Sequence, residues 1–141
     1  MKKTGSGIFP LHLLMLLIFF EGISGLLGGV FLVSDPTGSS LQMPLNLLDN
    51  APFANYLIPG IILLLVLGVF PLIVLYGLWH RKSWSWLGSL TVSLALLIWI
   101  GVEVIMIGYH PELPLQLIYG ILGLVLLVLT LMPSVQNNFK A

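Results

Sequence analysis

The sequence predicts an all-α integral membrane protein. It is expected to be one domain over residues 1–141, a four-transmembrane-helix bundle with both termini cytoplasmic and a long outer loop between helices 1 and 2. Of 141 residues, 58% are hydrophobic and only 7% are charged, whereas a soluble domain carries about 25% charged residues. So few charges cannot cover a surface that faces water. Four apolar stretches approach the length of about 20 residues that crossing the hydrocarbon core requires.

The predicted spans cover about residues 8–33, 57–78, 84–107 and 115–132. Each should be helical, because backbone polar groups inside a bilayer must pair within their own segment. The first could instead be a signal peptide, since Lys2 and Lys3 precede an apolar run. The length of that run, the presence of Glu21 and the lack of an A-x-A site argue against cleavage. Pro71 should kink the second span, because it leaves the carbonyl of Leu67 without its helical donor.

Orientation follows from the placement of the charges. The basic residues are Lys2, Lys3, Arg81, Lys82 and Lys140, all in segments on one side of the predicted spans. The loops on the other side carry Asp35, Asp49 and Glu112. Because basic residues concentrate in cytoplasmic segments, both termini are predicted to be cytoplasmic. The stretch "WHRKSWSW" supplies the expected interfacial anchors Trp79, Arg81, Lys82, Trp84 and Trp86.

The outer loop, residues 34–56, is long for a connection between adjacent helices. Its first part, "SDPTGSS", is typical of turns. Its second part, "LQMPLNLLDNAPF", mixes leucines with polar residues and is expected to lie on the membrane surface or to fold over the bundle. We favour an interfacial linker, with a lid over a cavity as the alternative.

Glu21 lies in the middle of the first apolar stretch. Its helical face carries the small residues that let two helices approach closely, here Ser24, Gly25, Gly28 and Gly29. A charged carboxylate at this depth costs at least about 2.5 kcal/mol. We therefore expect a protonated carboxyl that donates to the Leu67 carbonyl or, second, meets Ser93. Two roles stay open, a hydrogen-bonded helix clamp and a proton-coupling or ligand-binding carboxylate.

A second intramembrane acid, Glu103, lies about one turn from the outer end of the third span. Tyr119 lies at similar depth on the fourth span, since both residues are roughly 6–8 Å from the connecting loop at 1.5 Å per residue, and Gln116 is on the same stripe of that span. The short connection makes these spans antiparallel neighbours. We expect the three polar side chains to meet as a hydrogen-bonded staple, with a ligand site as the alternative.

Several classes of function are disfavoured by composition. The chain contains no cysteine, which excludes thiol chemistry, disulfides and cysteine-ligated metals. His12, His80 and His110 lack metal-ligand spacing. Five basic residues are too few for a nucleic-acid footprint, and no nucleotide-binding loop is present. We therefore expect no metal, no cofactor and no nucleic-acid partner.

Two stretches carry a resemblance, "NAPFANYLIPGIILLLVLGVFPLIVLYGLWHRKSWSW" and "LIWIGVEVIMIGYHPELPLQLIYGILGLVLLVL". The chain resembles a widespread group of small, uncharacterised bacterial four-span integral membrane proteins over roughly residues 26–132. The shared pattern is a Pro-Phe before a Tyr-x-Ile-Pro-Gly span start, a basic inner loop flanked by Trp, and an aromatic-Ile-x-Val-Glu run that leads to Pro-Leu-Gln. The resemblance implies a bacterial inner-membrane location and transfers no catalytic residue.

The function expected from the sequence is that of a small, non-enzymatic accessory or partner subunit. Its surroundings would be the lipid bilayer together with another membrane protein or a second copy of the chain. One alternative is a small-molecule or proton-coupled transporter that uses Glu21 and Glu103. The other is a lipid-handling membrane enzyme.

Overall fold

The computed structural model describes residues 5–39, 54–107 and 115–139, and their regular structure is helical throughout. The helices are α1 (Gly5–Ser34), α2 (Leu57–Leu64), α3 (Phe70–Trp79), α4 (Trp84–Ile107), α5 (Leu115–Leu131) and the short α6 (Pro133–Gln136). A π-helical segment, Leu65–Val69, joins α2 to α3, so that the three form one rod over Leu57–Trp79. The prediction of an all-helical fold is confirmed.

Three of these helices are long and apolar enough to cross a membrane: Phe9–Ser34, Leu57–Trp79 and Trp84–Ile105. A fourth apolar helix, Gln116–Leu131, is shorter. Large apolar side chains cover the outside of the bundle, with Phe9 64% and Ile105 84% exposed. Soluble monomers rarely expose apolar surface on this scale. The architecture is that of a helical membrane bundle.

The long helices pack as a closed ring around a single core. α1 packs along the α2–α3 rod, α3 packs on α4, α4 packs on α5, and α5 returns to α1. The core contains buried side chains from each of them, among them Leu14, Ile18, Leu67, Val74, Leu96 and Leu126. One continuous apolar cluster therefore occupies the centre of the bundle.

The tightest contact joins α1 to the rod through glycines. A Cβ added to Gly25 would stand 2.0 Å from the carbonyl oxygen of Leu67, and one added to Gly29 would stand 2.6 Å from the Cα of Leu64. Real Cβ atoms essentially never come this close to another heavy atom. The predicted small-residue face is thus the packing face of α1. At its edge, a Cβ on Gly28 would stand 3.1 Å from the Leu63 side chain, and Ser24 donates to the carbonyl of Phe20.

Its sequence position predicts that Pro71 simply kinks the rod. In the structure, a π-helical segment precedes Pro71 instead. A proline inside a helix has no N–H to donate. Before it, the hydrogen bonds shift to π-helical spacing, and the N–H of Phe70 donates to the carbonyl of Leu65. Such single-turn π-helical segments are a known cause of local helix distortion. Here the segment carries Leu67 and Gly68, the residues that meet α1.

The turn between α3 and α4 places an arginine where glycine is usual. The N–H of Arg81 donates to Leu78 at 3.2 Å, and that of Lys82 donates to Gly77 at 2.9 Å. This is a Schellman arrangement, which needs a left-handed residue at the position after the cap. Arg81 supplies it with φ 55°, the one positive φ outside glycine among the described residues. That conformation costs a residue with a Cβ roughly 1–2 kcal/mol.

The end of the described chain folds back against α1, which the sequence analysis did not foresee. Met132 is extended and ends α5, and Pro133 starts α6. Val135 and Phe139, 0% and 7% exposed, join the same core cluster as Leu11 near the start of α1. α6 therefore closes one end of the bundle.

The glycine contact gives a stability prediction with a matched control. Gly25→Ala should destabilise the protein by about 1–3 kcal/mol, because the new methyl group must push the rod away. Gly101→Ala on α4 should be neutral or stabilising by up to about 1 kcal/mol, because nothing lies within 4 Å of the new atom. Unfolding in detergent, monitored by circular dichroism, measures both. Equal effects at the two positions would contradict the close contact.

Candidate functional site

Glu21 points into the centre of the bundle and is only 2% exposed. Its neighbours in the sequence define its direction. On one side, Phe20 stacks on Tyr119 of α5 with ring centroids 6.2 Å apart. On the other, a Cβ on Gly22 would meet the side chain of Leu72 at 2.7 Å. Glu21 therefore faces the space between α5 and the rod.

The carboxyl lacks the partner that the sequence analysis assigned to it. Oε2 of Glu21 is buried and has no hydrogen-bond partner within the described residues. The carbonyl of Leu67 stands against Gly25 instead, one turn further along α1. Helical side chains lean toward the N-terminus, which directs the carboxyl away from that turn. The hydroxyl of Ser93 donates within its own helix, to the carbonyl of Ser89 at 2.9 Å. Oε2 thus pairs with neither predicted acceptor.

A buried carboxyl oxygen without a partner is an exception that requires a physical reason. Ionisation in an apolar interior is costly, and the neutral acid avoids most of that cost. Chemically, such a group can bind and release a proton or pair with a cationic ligand.

Hydroxyl groups join α4 and α5. Ser89 and Thr130, both fully buried, share a hydrogen bond of 2.7 Å between Oγ and Oγ1. Trp86 Nε1 donates to the carbonyl of Thr130 at 2.7 Å, and Thr130 also donates to that of Leu126. These groups are satisfied between the helices, so their role is packing.

Only one residue of this cluster, Trp86, stands out in the sequence. Trp86 was predicted to be an interfacial anchor, and the structure adds a bond across to α5. Ser89 and Thr130 were missed, as was the buried Ser85. Ser85, Ser89 and Ser93 recur at four-residue intervals, which is a small-residue packing pattern. This spacing could have indicated that Ser89 faces another helix.

Glu103 is half-buried, and its charge affects Tyr56, a residue that the sequence pattern does not single out. Tyr56 precedes α2 and is 3% exposed. Its burial, and then the negative charge of Glu103, raise the pKa of the Tyr56 phenol. Gln116 is buried and Tyr119 stacks on Phe20. A contact from Glu103 to either of them stays a prediction.

The predicted turn after α1 is held by Asp35. Its Oδ1 accepts from Thr37 Oγ1 at 2.5 Å, and its Oδ2 accepts from Ser39 Oγ at 2.6 Å. The N–H of Tyr56 donates to the carbonyl of Pro36 at 2.8 Å, which ties this turn to the start of the rod. The rest of the outer loop, and with it the choice between linker and lid, lies outside the described residues.

The predicted anchors lie at the α3–α4 turn. Trp79 and Trp84 are 69% and 48% exposed, and Arg81 and Lys82 are exposed between them. His80 packs on Tyr76 with ring centroids 4.4 Å apart. The remaining charged positions used for orientation, Lys2, Lys3, Asp49, Glu112 and Lys140, lie outside the described residues.

Within residues 5–39, 54–107 and 115–139, no three His, Cys, Asp or Glu side chains are grouped so that they could hold a metal ion. No protein-family model, no curated protein and no solved structure matches the chain.

The unpaired carboxyl reverses one expectation about stability. From the sequence, Glu21→Leu should destabilise the bundle in either of the two roles left open for Glu21, because the change removes a hydrogen-bond donor and crowds the small-residue face. Because Oε2 makes no hydrogen bond in the structure, Glu21→Leu should instead leave stability unchanged or raise it. The control is Thr130→Val, which removes a paired hydroxyl and should cost about 0.6 kcal/mol.

Denaturation of both variants in detergent, beside the unmodified protein, is the measurement. A larger loss for Glu21→Leu than for Thr130→Val would restore the clamp and reveal a partner for the carboxyl.

Proposed function

We propose that the protein is a non-enzymatic accessory or partner subunit in the bacterial inner membrane. The proposal takes it to be a four-span bundle of the bacterial group that it resembles in sequence. The observation that supports it best is the continuous cluster of buried apolar side chains that the long helices share, with Glu21 as a buried acid beside it. An enzyme or a transporter needs polar groups that converge on a cleft or a path.

The described contacts of the two intramembrane acids involve different residues. The charge of Glu103 raises the pKa of Tyr56 at the start of the rod. Glu21, in contrast, lies between Phe20, which stacks on Tyr119, and Gly22, which packs near Leu72. Paired carboxylates work as acid and base when they share one site. Their separate neighbours favour a packing role over paired chemistry.

A partner subunit would cover only some of the apolar exterior. A photo-crosslinking residue can be placed on each long helix at an exposed position: Phe19, Ile73, Ile98 or Val128. We expect adducts with another membrane protein from one or two adjacent helices. An adduct of twice the chain mass would identify a second copy. Crosslinks to lipid alone from all four positions would contradict the proposal.

The proposed orientation has both termini in the cytoplasm and the loop of residues 34–56 outside. It is supported by the basic turn at Arg81 and Lys82 and by the acidic turn at Asp35. The chain has no native cysteine, so single cysteines report cleanly. In intact cells, a membrane-impermeant thiol reagent should label Ser40→Cys and spare Lys82→Cys. Both should react after permeabilisation, and the reverse pattern in intact cells would overturn the orientation.

A second function, proton-coupled transport, is favoured by one observation, the unpaired Oε2 of Glu21. A carboxyl that exchanges a proton must be free of permanent partners. Glu21→Gln keeps the shape and removes the exchangeable acid. With purified protein in vesicles that contain a pH-sensitive dye, transport predicts proton flux that is lost in Glu21→Gln. The accessory role predicts the same low flux for both.

A further inference from the structure

Arg81 keeps a backbone conformation that glycine would adopt without strain. Its φ of 55° follows from the Schellman hydrogen bonds that end α3. Because the turn would form more easily with glycine, the arginine at this position is a conformational outlier that motivates a search for a role of its side chain.

The side chain is placed to bind an anion. One nitrogen, Nη1, donates to the carbonyl of Leu78 at 3.3 Å, which uses one of the five guanidinium N–H donors. Arg81 and the adjacent Lys82 are exposed. The described acids lie elsewhere, with Glu21 in the middle of α1 and both Asp35 and Glu103 near the other end of the rod. The remaining donors are exposed and accessible to a ligand from outside the chain.

The level of the turn in the membrane indicates which anion it meets. Trp79 and Trp84 flank the turn and are 69% and 48% exposed. Tryptophans in membrane proteins concentrate at the headgroup level of the bilayer. A basic residue between them therefore meets lipid phosphates, and the planar fork of arginine binds phosphate with two parallel hydrogen bonds.

We infer that the α3–α4 turn is a binding site for the phosphate headgroup of an anionic phospholipid, with Arg81 as the main contact and Lys82 beside it. The site depends on the helical membrane bundle. It is independent of the direction in which the bundle is inserted and of any partner subunit.

The test uses a variant that should relieve the backbone strain of the turn and lower its affinity for anionic phospholipid. Arg81→Gly removes the strained Cβ together with the guanidinium. In native mass spectrometry of the full chain in detergent, titrated with phosphatidylglycerol, affinity should fall roughly fivefold. Affinity for phosphatidylcholine should not change. The melting temperature without lipid should stay equal or rise. Unchanged phosphatidylglycerol affinity would overturn the site, and a lower melting temperature would make Arg81 a structural cap.

Two controls separate this site from its alternatives. Adding Ser83→Arg to Arg81→Gly restores the charge of the turn at a neighbouring exposed position. We expect affinity to stay low, since recovery would mean that net charge alone attracts the lipid. Millimolar inorganic phosphate should not displace phosphatidylglycerol from the unmodified protein, and displacement would assign the turn to a soluble anion. Both measurements leave the accessory role and the orientation untouched.

Discussion

The contact between Gly25 and the carbonyl of Leu67 is the constraint on which the rest of the bundle depends. Lipid is as apolar as leucine, so burial of apolar surface does not drive membrane helices together. Close packing must do so, and the closest packing is between backbones. Here the backbones of α1 and the rod meet at Gly25 and Gly29, where no side chain stands between them. The rotation of α1 that this contact demands also directs Glu21 toward the centre of the bundle.

Pro71 completes this contact from the other side. Without an N–H at that position, the rod adopts π-helical spacing over Leu65–Val69. The residues of this widened turn, Leu67 and Gly68, are the ones that rest on Gly25 and Leu26. A helix-breaking residue is tolerated in a membrane helix when its surroundings satisfy the disturbed backbone. The glycines of α1 provide the room for that distortion.

Local sequence features predict the helices and their packing faces well, because bilayer thickness sets span length and four-residue spacing sets helix faces. They predict partners poorly. Glu21 was assigned to Leu67 because the two lie at similar depth, but depth does not fix the rotation of a helix or the lean of a side chain. Tyr56 and Glu103 are 47 residues apart in the chain, and periodicity carries no information about such pairs. α6 is too short for any pattern, so its return to Leu11 could not be foreseen.

Among the described residues, Glu21 and Arg81 each break a local rule, as does Ser134, whose buried Oγ has no hydrogen-bond partner. Ser89 and Thr130 satisfy each other, and Gly25 and Gly29 lie where α1 comes closest to the backbone of the rod. Glu21, in contrast, buries an unpaired oxygen, and Arg81 occupies a glycine conformation. Natural proteins tend to break local rules at functional sites, where the loss is offset elsewhere. A bundle built for packing alone would be more stable with an apolar residue at position 21 and with glycine at position 81. These two residues, one in the core and one at the α3–α4 turn, are therefore where the function of the bundle should be sought.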